Sequence, residues 1–279
     1  MQFTSAIAIA ILAATTTAAP YAQPSGVAAP SGSAPTTFTT AIAPTATPPP
    51  ATGAAPGGLT LTQQLFLADS AVDRFALLTN DAFVFDFNDP AKKQKGKGGR
   101  GGDLIVANRK THPALVGTGS GMAVGFLGPC GFNTPHVHPR ATELQIVTKG
   151  KLTVEMVPEN GVFNVAGDKT SKRRVIHADV GENQMIPFYQ GSVHTQFNPT
   201  CETATFVASF NSEDFGAGQV VDEVLAFQDD IVTSAFGESF DASQLATMRK
   251  KLPASIAQGV ASCIATCGGL AKIGSANGS

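Results

Sequence analysis

The sequence predicts an all-β domain, an antiparallel sandwich or barrel, with a helical C-terminal appendage. Three observations carry this. Short apolar runs recur between Gly, Pro and Asn from Asp103 to Ser209, among them DLIVAN, GMAVGFLG, ELQIVT, KLTVEMV, RRVIHAD, NQMIPF, SVHTQF and TATFVASF. No helical periodicity separates them, which is the signature of many short strands joined by turns. After Asn211 the pattern changes: QVVDEVLAFQDDIVTSAFG and DASQLATMRKKL have helical spacing, the latter with Asp241 or Ser243 as N-cap.

The chain has 279 residues, 43% of them hydrophobic, and a net charge of −2. That suffices for one large domain or two small ones, with a substantial core. It leaves no basic stripe for nucleic acid. Trp is absent and Tyr scarce, so the 18 Phe residues supply the aromatic core.

No Asp, Glu, Lys or Arg precedes Asp69. Residues 1–22 read as a secretory signal peptide: an apolar stretch from Ala6 to Ala14, then small residues, with cleavage expected between Ala18 and Ala22. Its n-region lacks Lys and Arg, and its apolar run falls well short of the roughly 20 residues a membrane span needs. Residues 23–58 are almost entirely Ala, Pro, Thr, Ser and Gly. Such a segment buries too little to offset its ordering entropy and reads as an extended stalk, with Ser and Thr open to O-glycosylation. The N-glycosylation sequon at Asn277 lies at the extreme end.

Residues 59–240 form the expected domain and 241–279 a helical tail. At the start of the domain, LTLTQQLFLADSAVDRFALL has helical spacing after Thr62 and predicts a short helix, and AFVFDF predicts a strand by composition. The basic run AKKQKGKGGRGG reads as a solvated loop tip, and Asn160-Gly161 as a hairpin turn. Four cysteines, Cys130, Cys201, Cys263 and Cys267, fit an oxidising compartment and allow three pairings. The C-x3-C spacing is not a zinc motif.

The chemistry concentrates in NTPHVHPRATE. Alternate strand residues share a face, so His136 and His138 point together. Glu143 is an odd number of residues beyond, so it joins them only if the chain bends between Pro139 and Thr142. His194, in SVHTQF, is the third candidate imidazole. Three imidazoles and a carboxylate suit a divalent first-row metal with open octahedral positions. Three histidines alone suit catalytic zinc, and the carboxylate moves the balance towards manganese or iron. His112 and His177 read as ordinary core or surface residues.

Residues 131–150, GFNTPHVHPRATELQIVTKG, resemble the first motif of the germin-like cupins: H-x-H, Glu after four residues, then Gly after six more, met by His136, His138, Glu143 and Gly150. The second motif is matched by Gly181, Pro187, Gly191, His194 and Asn198. Two positions depart: Phe188, Tyr189 and Gln190 separate Pro187 from Gly191 where germins have one residue, and Cys130 stands where germins usually have Gly. The run GFLGPCGFNTPHVHPRATE is closer still to the spherulin-type secreted cupins. The resemblance spans residues 82–237.

It implies a jelly-roll β-barrel holding Mn(II), with Fe or Zn as alternatives, on His136, His138, Glu143 and His194. It places the strands bearing these residues side by side, which implies a Cys130–Cys201 disulfide and leaves Cys263–Cys267. The segment from Ser212 to Gly237 resembles the germin helices that clasp a neighbour, which implies a homo-oligomer. Germin-like activities include oxalate oxidation and superoxide dismutation, whereas spherulins are associated with encystment, so a wall protein with a stabilising metal is the competing class. Of the two asparagines that hold oxalate in germin oxidases, one is matched by Asn133 and the other falls on Ala123. A single copy of the motif pair argues against a bicupin decarboxylase.

Overall fold

A computed structural model describes residues 58–89, 91, 93–95, 101–253 and 255–269. The expected signal peptide, nearly all of the stalk and the Asn277 sequon lie outside the described residues. The elements in chain order are α1 (Leu61–Leu67), α2 (Ala71–Ala76), β1 (Lys93–Lys95), β2 (Gly102–Ala107), β3 (Gly121–Leu127), β4 (Gly131–Val137), β5 (Glu143–Lys149), β6 (Lys151–Val157), β7 (Ile176–Gly181), β8 (Met185–Phe188), β9 (Val193–Phe197), β10 (Ala204–Phe210), β11 (Gly218–Gln219), α3 (Val220–Leu225), α4 (Asp229–Ala235), α5 (Ala242–Lys251), β12 (Ile256–Gln258) and α6 (Ala261–Thr266).

The strands form two antiparallel sheets. Sheet A runs β1-β2-β3-β10-β5-β8, and sheet B runs β11-β4-β9-β6-β7 with β12 also on β4. Each predicted apolar run from DLIVAN to TATFVASF is a strand. Alternation does the work: in β6, Leu152, Val154 and Met156 are buried while Lys151 and Glu155 face solvent. The inward sets of both sheets meet in one core that includes Val147, Leu152, Val154, Phe188 and Phe206. Gly150 joins β5 of sheet A to β6 of sheet B at φ 76°, a conformation only glycine adopts without strain.

Several local expectations are corrected. The single N-terminal helix is two, α1 and α2, because Ala68 is extended and Ser70 starts a new helix, its hydroxyl accepting from the Asp73 N–H. AFVFDF is not a strand. Asn80–Phe83 is a 3-10 turn, and beyond it Asp86 accepts from the Asn88 N–H, an Asx-type bond that competes with ladder pairing. The basic run is not all loop, since Lys93–Lys95 pair with Asp103–Ile105. Asn160-Gly161 is a turn between the antiparallel β6 and β7, but it opens a long excursion crossed by one bridge, Phe163 to Arg173. In the C-terminal region α5 starts on Asp241, whose carboxylate and the Gln244 side chain form a reciprocal cap. Beyond it β12 adds a strand to sheet B at Phe132 and Asn133, which the helical reading did not anticipate.

The disulfides also differ from expectation. They join Cys130 to Cys263 and Cys201 to Cys267. The expected adjacency of the two barrel segments holds, since β4 pairs β9 through Phe132 and Phe197. The C-terminal segment, however, returns against them. Cys263 and Cys267, one turn apart at α6, reach two different barrel loops instead of each other. Cys130 has φ 56°, which explains the usual glycine at this position: the backbone needs the left-handed region, and here a cysteine accepts its cost to make the bond.

Candidate metal centre

Four side chains from three strand ends converge inside the barrel. His136 lies on β4, His138 just beyond it, Glu143 opens β5, and His194 lies on β9. One ligand atom from each lies within 4.8 Å of the others, and all four residues are buried. The bend required for Glu143 is the turn after His138, where the chain leaves sheet B for sheet A. His136 and His194 are direct cross-strand partners with ring centroids 4.2 Å apart.

A second parity problem is solved by a bulge. Asn133 and His136 are three apart, so a regular strand would face them oppositely. Asn133 pairs with Gln196 and His136 with His194, so β4 carries one extra residue between the pairs. Pro135, without an N–H to offer, sits in that bulge. Both Asn133 and His136 are thereby buried, and the Asn133 amide lies 3.4 Å from His136 Nε2.

Backbone carbonyls fix the ring orientations. The Nδ1–H groups of His136, His138 and His194 donate to the carbonyls of Thr134 at 2.8 Å, Gly216 at 2.6 Å and Ser192 at 3.0 Å. A carbonyl only accepts, so each Nδ1 carries the proton and each Nε2 turns inward. Glu143 Oε2 lies 2.9 Å from His138 Nε2 and 3.3 Å from His194 Nε2. Burial, reinforced by the neighbouring His194, lowers the His136 pKa from 6.5 to about 3, so its Nε2 presents a lone pair at neutral pH. Burial alone would raise Glu143, but the facing His138 and His194 side chains outweigh it and bring its pKa from 4.5 to about 2. A buried carboxylate ringed by inward Nε2 atoms is a donor set that fits a divalent cation.

Aromatic rings surround the cluster for reasons of register. Glu143 is opposite Phe210 on one neighbouring strand and Phe188 on the other. Phe188 stacks on His194 at 4.3 Å, and Phe210 meets His138 edge-on at 4.7 Å. Such contacts contribute about 0.5–1.5 kcal/mol each beyond area burial. The longer segment after Pro187 has a visible role. Gln190 Nε2 donates to the Pro139 carbonyl at 2.9 Å and the Gly191 N–H to the His138 carbonyl at 3.2 Å. It therefore stitches the turn between His138 and Glu143 to the loop ahead of His194. Asn198 is structural: fully buried, it donates to the carbonyls of Leu127, Gly128 and Glu202.

A cavity of about 200 Å³ reaches His136, His138 and Glu143, with Asn133 and Ala123 also in its lining and Asn108, Asp214 and Ser255 towards solvent. His112 and His177 stand apart: His112 packs on Phe85, and His177 is an exposed neighbour of Glu155. Sequence reasoning missed Gln145 and Gln196. Both are fully buried, and no hydrogen-bond partner is found for either amide, nor for Asn133 Oδ1, among the described residues. Each lies two residues beyond a cluster residue, Glu143 or His194, so the period-2 rule would have placed them on the same inner face.

Comparison with known proteins agrees with this architecture. Residues 87–244 match the Cupin family model, more than half of the chain. Spherulin-1A of Physarum polycephalum is 34% identical over 211 residues, 75% of this chain and 79% of that protein. Germin-like protein 12-2 of Oryza sativa subsp. japonica is 30% identical over 173 residues, 60% of this chain and 69% of that protein. Among solved structures, procruciferin, an 11S globulin from Brassica napus, superposes with a TM-score of 0.53 at 14% identity, covering 63% of this chain and 41% of that one, which supports the fold alone. With its two antiparallel sheets and its buried His-His-Glu-His cluster, the chain belongs to the cupin family as a germin-like member.

Proposed function

We propose that the chain is a secreted, manganese-binding germin-like cupin that acts on a small molecule as an oxidoreductase. His136, His138, Glu143 and His194 are the metal ligands in this reading. A divalent metal bound there would supply a Lewis-acidic centre, redox-capable if it is manganese or iron. The protein orients three imidazoles through carbonyl hydrogen bonds and holds one carboxylate ionised. The observation that carries the reading is the cavity that meets three of the four donor residues. Iron and zinc remain the alternative metals, since ligand type alone does not favour manganese.

Two reactions are candidates. Superoxide dismutation needs only a redox-cycling metal with one accessible position. Oxalate oxidation needs polar groups around the substrate, and Ala123 in the cavity lining offers none. A hydrogen bond to a charged group is worth about 1.5–3 kcal/mol, so oxalate would bind weakly. The test is to load the purified protein with manganese and to assay superoxide loss and oxalate-dependent H2O2 release. Superoxide loss alone supports the dismutase reading, and oxalate turnover the oxidase. Neither activity would favour a second reading, a wall or encystment protein whose metal stabilises the fold. The rings of Phe188 and Phe210 packed against His194 and His138 support that alternative.

Secretion is supported by the apolar N-terminal segment and by the two disulfides. In this reading residues 1–22 are the leader, 23–58 the stalk, 59–240 the barrel domain and 241–279 its tail. No helix among the described residues is long and apolar enough to cross a membrane. A homo-oligomer is supported by exposed apolar side chains on and beside α4, after the barrel: Phe227, Ile231 and Phe236.

A further inference from the structure

The cavity is divided in its chemistry. One side carries the inward donors and Asn133; the other is built by sheet A from Leu104, Val106, Ala123, Phe206 and Ala208. No lysine or arginine lines it. Two arginines pair with Asp214 of its lining: Arg140 with Oδ1 at 3.0 Å and Arg109 with Oδ2 at 2.9 Å. A ligand inside therefore meets no cationic side chain, finds polar partners in Asn133, Asn108, Gln219 and Ser255, and meets a wholly apolar surface on the sheet A side.

The lining narrows the ligand further. With no lysine or arginine in it, a second carboxylate on the ligand would be buried with no cationic side chain to pair it, an arrangement proteins avoid. The apolar wall would in turn desolvate any second polar group, while rewarding a hydrocarbon substituent.

We infer that the ligand class of this cavity is a small monocarboxylic acid whose carboxylate end meets the metal and whose short aliphatic tail lies against the sheet A wall formed by Leu104, Val106, Ala123, Phe206 and Ala208. This rests on the metal reading above and deepens it: the site selects for a tail and against a second charge.

The experiment is a calorimetric titration of the manganese-loaded full chain, with metal content measured before and after. Three probes are compared: glycolate, 2-hydroxy-4-methylpentanoate (the same head with an isobutyl tail) and oxalate. The tailed acid is expected to bind at least tenfold more tightly than glycolate, and oxalate no more tightly than glycolate. Ala208→Leu fills the wall and should bring the ratio of tailed acid to glycolate close to one with metal content intact. Ala123→Asn, which makes the wall polar without as large a volume change, should lower the same ratio and keeps the test available if Ala208→Leu misfolds. Equal affinity for tailed acid and glycolate, or tightest binding of oxalate, overturns the inference while leaving the metal centre standing. An unchanged ratio in a folded, metal-loaded variant also overturns it, because the tail then lies elsewhere. A chain that takes up no metal removes the metal reading itself, and this inference with it.

Discussion

The two ends of β4 do opposite jobs with different chemistry. At its start, Cys130 leads into the strand and is bonded to Cys263 on α6, beside the Cys201–Cys267 pair; the Cys130 and Cys267 sulfurs lie 3.7 Å apart. At its finish, His136 and His138 enter the polar cluster with Glu143 and His194. Both ends gather segments distant in sequence. One does so covalently, in an apolar setting with Phe197 and Val260 against the cysteines. The other uses groups that are stable there only because each is oriented and charge-matched. The first end should respond to reductant and ignore chelator and mild acid; the second should do the reverse.

The largest expected effect is at the covalent end. The disulfides span 133 and 66 residues. In a chain-entropy treatment each, taken alone, is worth about 4–5 kcal/mol. Reduction, or the double substitution Cys130→Ala with Cys263→Ala, should sharply lower the denaturant midpoint while metal binding at neutral pH persists in the folded fraction. Loss of metal from still-folded reduced protein would show that the two ends are coupled.

Metal removal comes next. A ligand that binds only the folded state stabilises by about 2.7–4.1 kcal/mol at 100 to 1,000 times its Kd. Chelation should therefore lower the melting temperature, and the change in hydrogen exchange should concentrate at β4, β5 and β9 and not at α6. Equal loosening at α6 would break the comparison.

Acid sharpens it further in the metal-free protein. His136 falls from 6.5 to about 3 and Glu143 from 4.5 to about 2 on folding, so the unfolded chain binds more protons in both windows. Stability from these groups is full above pH 6.5 and is lost as pH falls, first through the His136 window and then through that of Glu143. Each group contributes a slope of about 1.4 kcal/mol per pH unit inside its window. Denaturant titrations from pH 7 to 4 should show this loss, and His136→Gln should remove the part that begins near 6.5. The smallest effect is expected at Gln145. With both amide atoms unpartnered, its replacement by Leu should change stability by no more than about 1 kcal/mol in either direction. A larger loss would mean that the amide has a partner in solution.

Much of this was legible in the sequence because strands write their pattern with period 2. The apolar runs became strands, and His136 and His138 fell on one face as alternation requires. The need for a bend before Glu143 was also legible, from parity alone. What escaped depended on contacts between distant segments. The bulge at Thr134 and Pro135 is seen only once β4 is set against β9. The disulfide pairing turned on where α6 lies, which nothing in the C-x3-C spacing reveals. AFVFDF had strand composition, yet a local Asp86 hydrogen bond took the backbone elsewhere. Gln145 and Gln196 obeyed the same alternation as the histidines, but amides carry no metal signature and drew no notice.

The central claim is that the His-His-Glu-His cluster is a metal centre, and metal analysis of purified protein tests it most directly. Inductively coupled plasma measurement on wild type and His138→Ala, at neutral pH after extensive dialysis, should give one divalent metal per wild-type chain and none in the variant. Full metal retention in His138→Ala, or a metal-free wild type that fails to bind added manganese, would contradict the account.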